Sequence, residues 1–465
     1  MHKHVMCQNA TQQVYHLDPL SKHCHSWHRS LDEMALGASL KATLFNMTLR
    51  GQINYNEVSH MKKTLLSAAA FAVVAVSAVS IAPTTSEAIP AFARQTGAAC
   101  LSCHFQTFPA INSFGRAFKM GAFTDVGEQA LIEDDNLSLP AVLNSSFVLR
   151  AQYMSTKTTV AGVSSTVTNW NIPADAVLLM AGRIGSNSGA FVEFNGGAAN
   201  WQMMNSFDFD TVKAGLNIQN SGFGPTATLE VSNVFGQHGG KLNGKALSSV
   251  ESIIKGNGGG NSTSIAAWVG NESFVAQLGG VAFADAAAVT NASFVPMLRA
   301  LYIADMGAAE VMIGGGLFNG QQRAAGALAA GQGVDAKFID LQVQGEAGDM
   351  SYGFYADWTT SKAKGTNAAV ASNLFAGGTN SKLNGYSARV EVSPIHKVMF
   401  GLGASQTKTT TAAVVTKVSS TQFAATYEIY QNMEINAWYK SDKTTTTGAA
   451  SSKVKTVFAE VEALF

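Results

Sequence analysis

Charge is scarce in this chain. Asp, Glu, Lys and Arg make up only 13% of the 465 residues, and the 31 basic side chains balance the 31 acidic ones. A nucleic-acid binder needs a basic excess to meet phosphates, so that class is excluded. Proline is also rare, at 9 residues against 44 glycines. Ser, Thr and Asn crowd the gaps between short apolar stretches, which suits a long antiparallel sheet. There are only four cysteines. Two of them fall in the first 60 residues, and the remaining pair is too few to hold a chain of this size by disulfides. No phosphate-binding loop is present. No pair of carboxylates stands apart as a catalytic acid and base, so hydrolytic and group-transfer chemistry has no foothold.

The first 60 residues differ from the rest. They carry seven of the ten histidines and show no apolar period. His23, Cys24, His25 and His28 resemble a metal site, but a segment that is never translated is the plainer reading. Met61-Lys62-Lys63 then opens an Ala/Val/Ser/Leu run from Leu65 to Ala82, and Ser86-Glu87-Ala88 has small residues where a signal peptidase reads. The run is short and Ala-rich for a membrane anchor. The expected organisation is therefore an over-extended start at 1–60, a secretory signal at 61–88, a small segment at 89–140 and a sheet domain at 141–465.

Cys100-Leu101-Ser102-Cys103-His104 has the spacing that attaches c-type haem. Two thiols three positions apart on a turn can add to the two vinyl groups of one porphyrin, and the adjacent imidazole can then coordinate the iron. A redox dithiol would want a βαβ context, and none is visible. A zinc site would want a second ligand pair, but only His238 and His396 remain, both far off. Phe92, Phe105, Phe108, Phe114 and Phe118 surround the motif and offer an apolar jacket. A helix is expected from about Ala110 to Met120, with Ile111, Phe114 and Phe118 on one face. A segment of this size lacks a core of its own and must lean on something larger.

With its signal segment, its single C-x-x-C-H and the sheet that follows, the run from Phe92 to Thr124 resembles the N-terminal haem segment of the fused cytochrome–porins found in the outer membranes of iron-oxidising bacteria. The match is dense around the haem motif and architectural elsewhere. One departure is Ala122-Phe123, where Gly-Tyr would be expected. The resemblance implies one covalent haem c and electron uptake from an extracellular donor, with Fe(II) the best-known case.

From Leu143 onward, strands of alternating polarity are separated by turn residues. Ile339, Leu341 and Val343 alternate with Asp340, Gln342 and Gln344. Tyr386, Ala388, Val390 and Val392 alternate with Ser387, Arg389 and Glu391. Sixteen strands are expected, with starts that include 143, 174, 189, 205, 226 and 264. Their connections alternate between short turns, such as Ser186-Asn187 and Gly348-Asp349, and long loops at 155–173, 237–263, 319–335, 361–383, 407–418 and 442–452. Short periplasmic turns and long outer loops mark an outer-membrane barrel. Val457, Ala459, Val461, Ala463 and the terminal Phe465 share one face, as a closing strand would.

The expected fold is thus mainly β: a 16-stranded antiparallel outer-membrane barrel in contact with lipid, with the helical haem segment in or at its lumen. Cys100 and Cys103 would attach the haem and His104 would be an axial ligand. Met154, Met312, Met399 and His238 are the candidates for the second axial position. Arg150, Arg183, Glu193, Asp340, Arg389, Glu391, Glu428 and Glu434 would line the lumen. The expected function is electron transfer from an extracellular donor to a periplasmic cytochrome or other soluble acceptor. Two alternatives stay open: a transport channel with a haem-bearing plug, and an outward conduit to an external acceptor.

Overall fold

A computed structural model describes residues 91–465 except 107–109, 128, 136, 195–198, 222–261, 284–293, 323–331, 364–372, 379 and 431. The metal-like cluster at 23–28, the signal segment and His238 lie outside the described residues. The first part of the described chain holds three short helices, α1 (Ala91–Thr96), α2 (Cys100–Cys103) and α3 (Ser113–Met120). A small hairpin follows, β1 (Leu131–Glu133) and β2 (Ser138–Pro140).

The barrel begins with β3 (Ser145–Val160), β4 (Val163–Gly185), β5 (Ser188–Phe194) and β6 (Ala199–Asn205). It continues through β7 (Phe207–Asp208), β8 (Lys213–Ser221), β9 (Ser262–Gly270), β10 (Phe274–Ala282) and β11 (Val295–Asp305). Next come β12 (Ala309–Gln322), β13 (Gln332–Ala347), β14 (Met350–Lys362) and β15 (Lys382–Ile395). The last four are β16 (Val398–Thr411), β17 (Val414–Tyr430), β18 (Met433–Thr446) and β19 (Ser452–Leu464). The two-residue β7 pairs with β8 in line with β6, so the pair acts as one stave and the wall has sixteen strands, all antiparallel. β19 pairs with β3 and closes the sheet. The terminal residue completes that seam, because Phe465 and Phe147 exchange backbone hydrogen bonds of 2.6 and 3.0 Å.

The burial pattern is the reverse of a water-soluble sheet. On β11 the outward Leu298 and Tyr302 are 43% and 59% exposed, whereas the inward Arg299 is only 2% exposed. On β13 Ile339 faces out while Asp340, Gln342 and Gln344 are buried inside. An apolar outer band over a polar interior is the arrangement lipid requires, and closure leaves no unpaired backbone edge in the hydrocarbon. Among the described residues no helix is long and apolar enough to cross a membrane. The strands do the crossing, and the chain is an outer-membrane barrel.

Strand count and the short turns agree with the sequence reading, but several boundaries move. The strand expected from 205 runs instead over 199–205, a further strand runs over 213–221, and the stretch from 226 lies outside the described residues. The expected loops at 155–173 and 407–418 are two-residue turns at 161–162 and 412–413, flanked by paired strand. Their Ser and Thr content suggests loop, yet these side chains bond across the hairpins. Thr159 Oγ1 lies 2.8 Å from Ser164 Oγ, and Ser155 Oγ lies 3.2 Å from Thr168 Oγ1. Ala161 and Gly162 have φ of 48° and 85°, which makes the tight turn between β3 and β4. These hairpins extend well past the 9–11 residues that span a bilayer. The expected helix at 110–120 is shorter, and Phe114 is 49% exposed, because Gly115, Arg116 and Lys119 form the buried face of α3.

Placing a charge on the lipid face is expected to cost more than placing one inside. Leu298→Arg should destabilise the barrel by about 2–4 kcal/mol, measured by denaturant unfolding from lipid vesicles. Thr407→Glu, half-buried on the lumen face, should change stability much less.

Candidate functional site

The site is built where the N-terminal segment docks inside the barrel at the short-turn end. α2 is a single turn in which His104 N–H bonds the Cys100 carbonyl at 3.0 Å. Asn112 clamps this turn to α3. Its Nδ2 donates to the Ser102 carbonyl at 3.0 Å, and its Oδ1 caps α3 by accepting from Gly115 N at 2.9 Å. Gly115 then presses against the Cys103 carbonyl so closely that a Cβ would collide with it. The thiols of Cys100 and Cys103 are not bridged to each other.

His104 is oriented by its surroundings. Nδ1 lies 3.1 Å from the Ala110 carbonyl. The tautomer that donates this bond puts the ring's lone pair on Nε2, as a metal-ligating imidazole requires.

Cys100, Cys103 and His104 line one cavity with Phe92, Ile111, Phe118 and Phe123 from the segment. The barrel supplies the other wall through Val148, Val177, Leu179, Phe191 and Leu464. The empty volume, open mouth included, is about 1590 Å³. Phe92 is the hub of the aromatic jacket. Its ring stacks on Phe123 at 5.0 Å and on Phe191 at 6.1 Å, and meets Phe118 edge-on at 5.2 Å. The polar rim of the cavity holds Arg150, which bonds Glu462 at 2.7 Å and Asp175 at 3.2 Å.

Burial raises the pKa of both thiols. Nearby Glu428 adds to the effect at Cys100, and Cys100 and Asp125 add to it at Cys103. A reactive redox dithiol needs the opposite, a thiolate stabilised by positive surroundings. The environment therefore disfavours the dithiol alternative.

Gln95 ties the segment to the wall. Its Nε2 donates to the carbonyls of Phe123 and Asp125 at 2.7 and 2.6 Å. Its Oε1 accepts from Arg183 N at 2.9 Å and from Asn144 Nδ2 at 3.2 Å. Two glycines in the wall make room for this contact. A Cβ at Gly182 would strike Gln95 Oε1, and one at Gly189 would strike the Ala122 carbonyl. Arg116 also pairs with Glu310 of β12. Ala122 and Phe123, singled out in the sequence, have φ of 55° and 59°, a left-handed pair that glycine would enter at less cost.

Neither a scan against protein-family models nor a search of curated proteins finds a match. Solved structures with a similar barrel include OmpT, an outer membrane protein of Vibrio cholerae, at 12% identity and a TM-score of 0.42, covering 72% of this chain and 99% of that one. The anion-selective porin from Comamonas acidovorans is 12% identical with a TM-score of 0.42, over 70% of this chain and 99% of its own. The outer membrane channel DcaP of Acinetobacter baumannii is 13% identical with a TM-score of 0.44, over 70% and 97%. These are likenesses of barrel shape, and nothing about cargo or cofactor passes from them.

The lumen residues named from sequence face inward, with Glu193, Asp340, Arg389, Glu391 and Glu434 all buried. Of the second-ligand candidates, the three methionines do not line the cavity, and His238 lies outside the described residues. Met312 packs with Trp268 and Leu301, and its sulfur receives Gln342 Nε2 at 3.8 Å. Met399 is buried away from the cavity, and Met154 sits opposite Phe458 on the wall. Alternation tells which face a residue occupies but not which side of the barrel it is on. The sequence reading missed Gln95, Asn112 and Phe191. An Asn three residues before a Gly at a helix start was the available signal for Asn112. Gln95 and Phe191 had none.

Two outcomes follow from this geometry. Gln95→Ala leaves buried groups unsatisfied and should loosen the segment by about 1–3 kcal/mol, seen as faster amide exchange over 91–127 while the barrel strands stay protected. With both thiols free, their raised pKa values should delay alkylation of Cys100 and Cys103 to pH above the usual thiol range. Alkylation already complete near neutral pH would contradict it.

Proposed function

We propose that this chain is an outer-membrane electron carrier that holds one covalent haem c inside its barrel. The observation that carries the reading is the convergence of Cys100, Cys103 and His104 on one phenylalanine-lined cavity. The residues fit the group. Two adjacent thiols suit covalent attachment, His104 offers Nε2 to an iron, and the aromatic jacket suits an apolar macrocycle. A haem bound there would supply a one-electron couple.

The chain's own groups do the rest. Phe92, Phe118, Phe123 and Phe191 keep water from the cavity. The Ala110 carbonyl holds the His104 ring in place. The cavity lining carries three carboxylates, Asp175, Glu193 and Glu462, against the two cations Lys119 and Arg150, a small excess that favours a cation. Fe(II) as an extracellular donor rests on the family resemblance, and the cavity's place at the short-turn end suits passing electrons to a soluble periplasmic cytochrome.

A second reading is a transport channel in which residues 91–140 are a plug. The porin-like barrel and its charged lumen support that reading directly, and the glycine-lined docking of the segment serves a plug as well as a cofactor carrier. Two experiments separate the readings. Mixing the oxidised protein with Fe(II) in a stopped-flow instrument should reduce it within the mixing record, and Cys100→Ser with Cys103→Ser should abolish that signal. Liposome swelling with small sugars should be slow. Free passage of sugars together with no reaction with Fe(II) would favour the channel.

A further inference from the structure

The long-hairpin end of the barrel carries a feature that electron transfer does not use. Lys362 stands directly opposite Lys382, Lys408 opposite Lys417, and Lys443 opposite Lys453. A fourth pair, Lys157 with Lys455, lies across the closing seam. Like charges directly opposed on neighbouring strands destabilise a sheet. All eight lysines are exposed, and among the described residues none has a carboxylate partner.

Their placement is regular. By alternation, each lies on the outward face, in line with lipid-facing residues: Lys362 with Trp358, Lys382 with Tyr386, Lys443 with Tyr439 and Lys455 with Val457. Seven of the eight are two to six residues beyond the last large apolar side chain on their strand's outward face, about 7–20 Å along it, and Lys417 lies between Phe423 and Val415. The pairs are also linked diagonally. Lys382 pairs with Thr410, two residues from Lys408, and Lys417 pairs with Thr445, two residues from Lys443. In tilted strands such a stagger keeps side chains near one height. The lysines therefore form a girdle over the contiguous strands β14 to β19 and β3, just outside the apolar band.

We infer that this girdle binds the phosphate groups of anionic glycolipid in the outer leaflet. The long connections put this end outside the cell, and the outward direction puts the ammonium groups at headgroup depth, where long cationic side chains settle. Phosphate between two opposed lysines turns their repulsion into attraction, and each cation at an anionic surface adds to the binding. The inference does not depend on the haem reading.

The test uses the purified full-length protein in zwitterionic detergent. Phosphorylated lipid A should bind and raise the thermal unfolding midpoint, and added salt should weaken the effect. The combined variant Lys382→Gln, Lys408→Gln, Lys417→Gln and Lys443→Gln should bind at least tenfold more weakly, whereas the four Lys→Arg changes should preserve binding. Dephosphorylated lipid A and inorganic phosphate should give no shift. Undiminished binding by the Gln variant would overturn the proposal. So would equal stabilisation by inorganic phosphate or by the lipid without its phosphates.

Discussion

Closure of the sheet is the constraint on which everything else rests. In hydrocarbon no water is present to satisfy backbone amides, so an open edge costs several kcal/mol per orphaned group. The ladder from β3 to β19 returns to β3 and leaves no such edge. Closure also creates an interior that is neither lipid nor bulk water. Polar side chains such as Arg299 and Asp340 pair there at 2.7 Å, while rings such as Trp358 and Tyr386 face outward.

That interior solves the problem of the small helical segment. Its three helices are too short to enclose an apolar core, and half of the cavity wall comes from barrel strands. The docking is specific. Gln95 satisfies groups on both sides, and the wall lacks side chains at Gly182 and Gly189, where the segment comes closest. The cavity therefore exists only when both parts are folded. Segment and barrel are one functional unit, although the sequence presents them as separate regions.

How much of this was legible in the sequence follows from the range of each interaction. Alternation along a strand is local, so inward and outward faces were readable, as was the number of staves. The C-x-x-C-H spacing is local too. The long hairpins were misread because Ser and Thr serve turns and exposed cross-strand pairs equally well. The opposed lysines were also hidden, since each pair is set by strand register rather than by spacing in the chain. Which methionine, if any, faces the cavity depends on position around the barrel, and no periodicity records that.

The central claim is that two thiols and one imidazole converge inside the barrel to hold a covalent haem. The most direct measurement is the intact mass of the denatured, purified protein alongside a haem stain on a denaturing gel. The account predicts a chain heavier than its polypeptide by one haem, stained in place and unstained after replacement of Cys100 and Cys103. A colourless chain at the bare polypeptide mass, from cells that mature other c-type cytochromes, would contradict it.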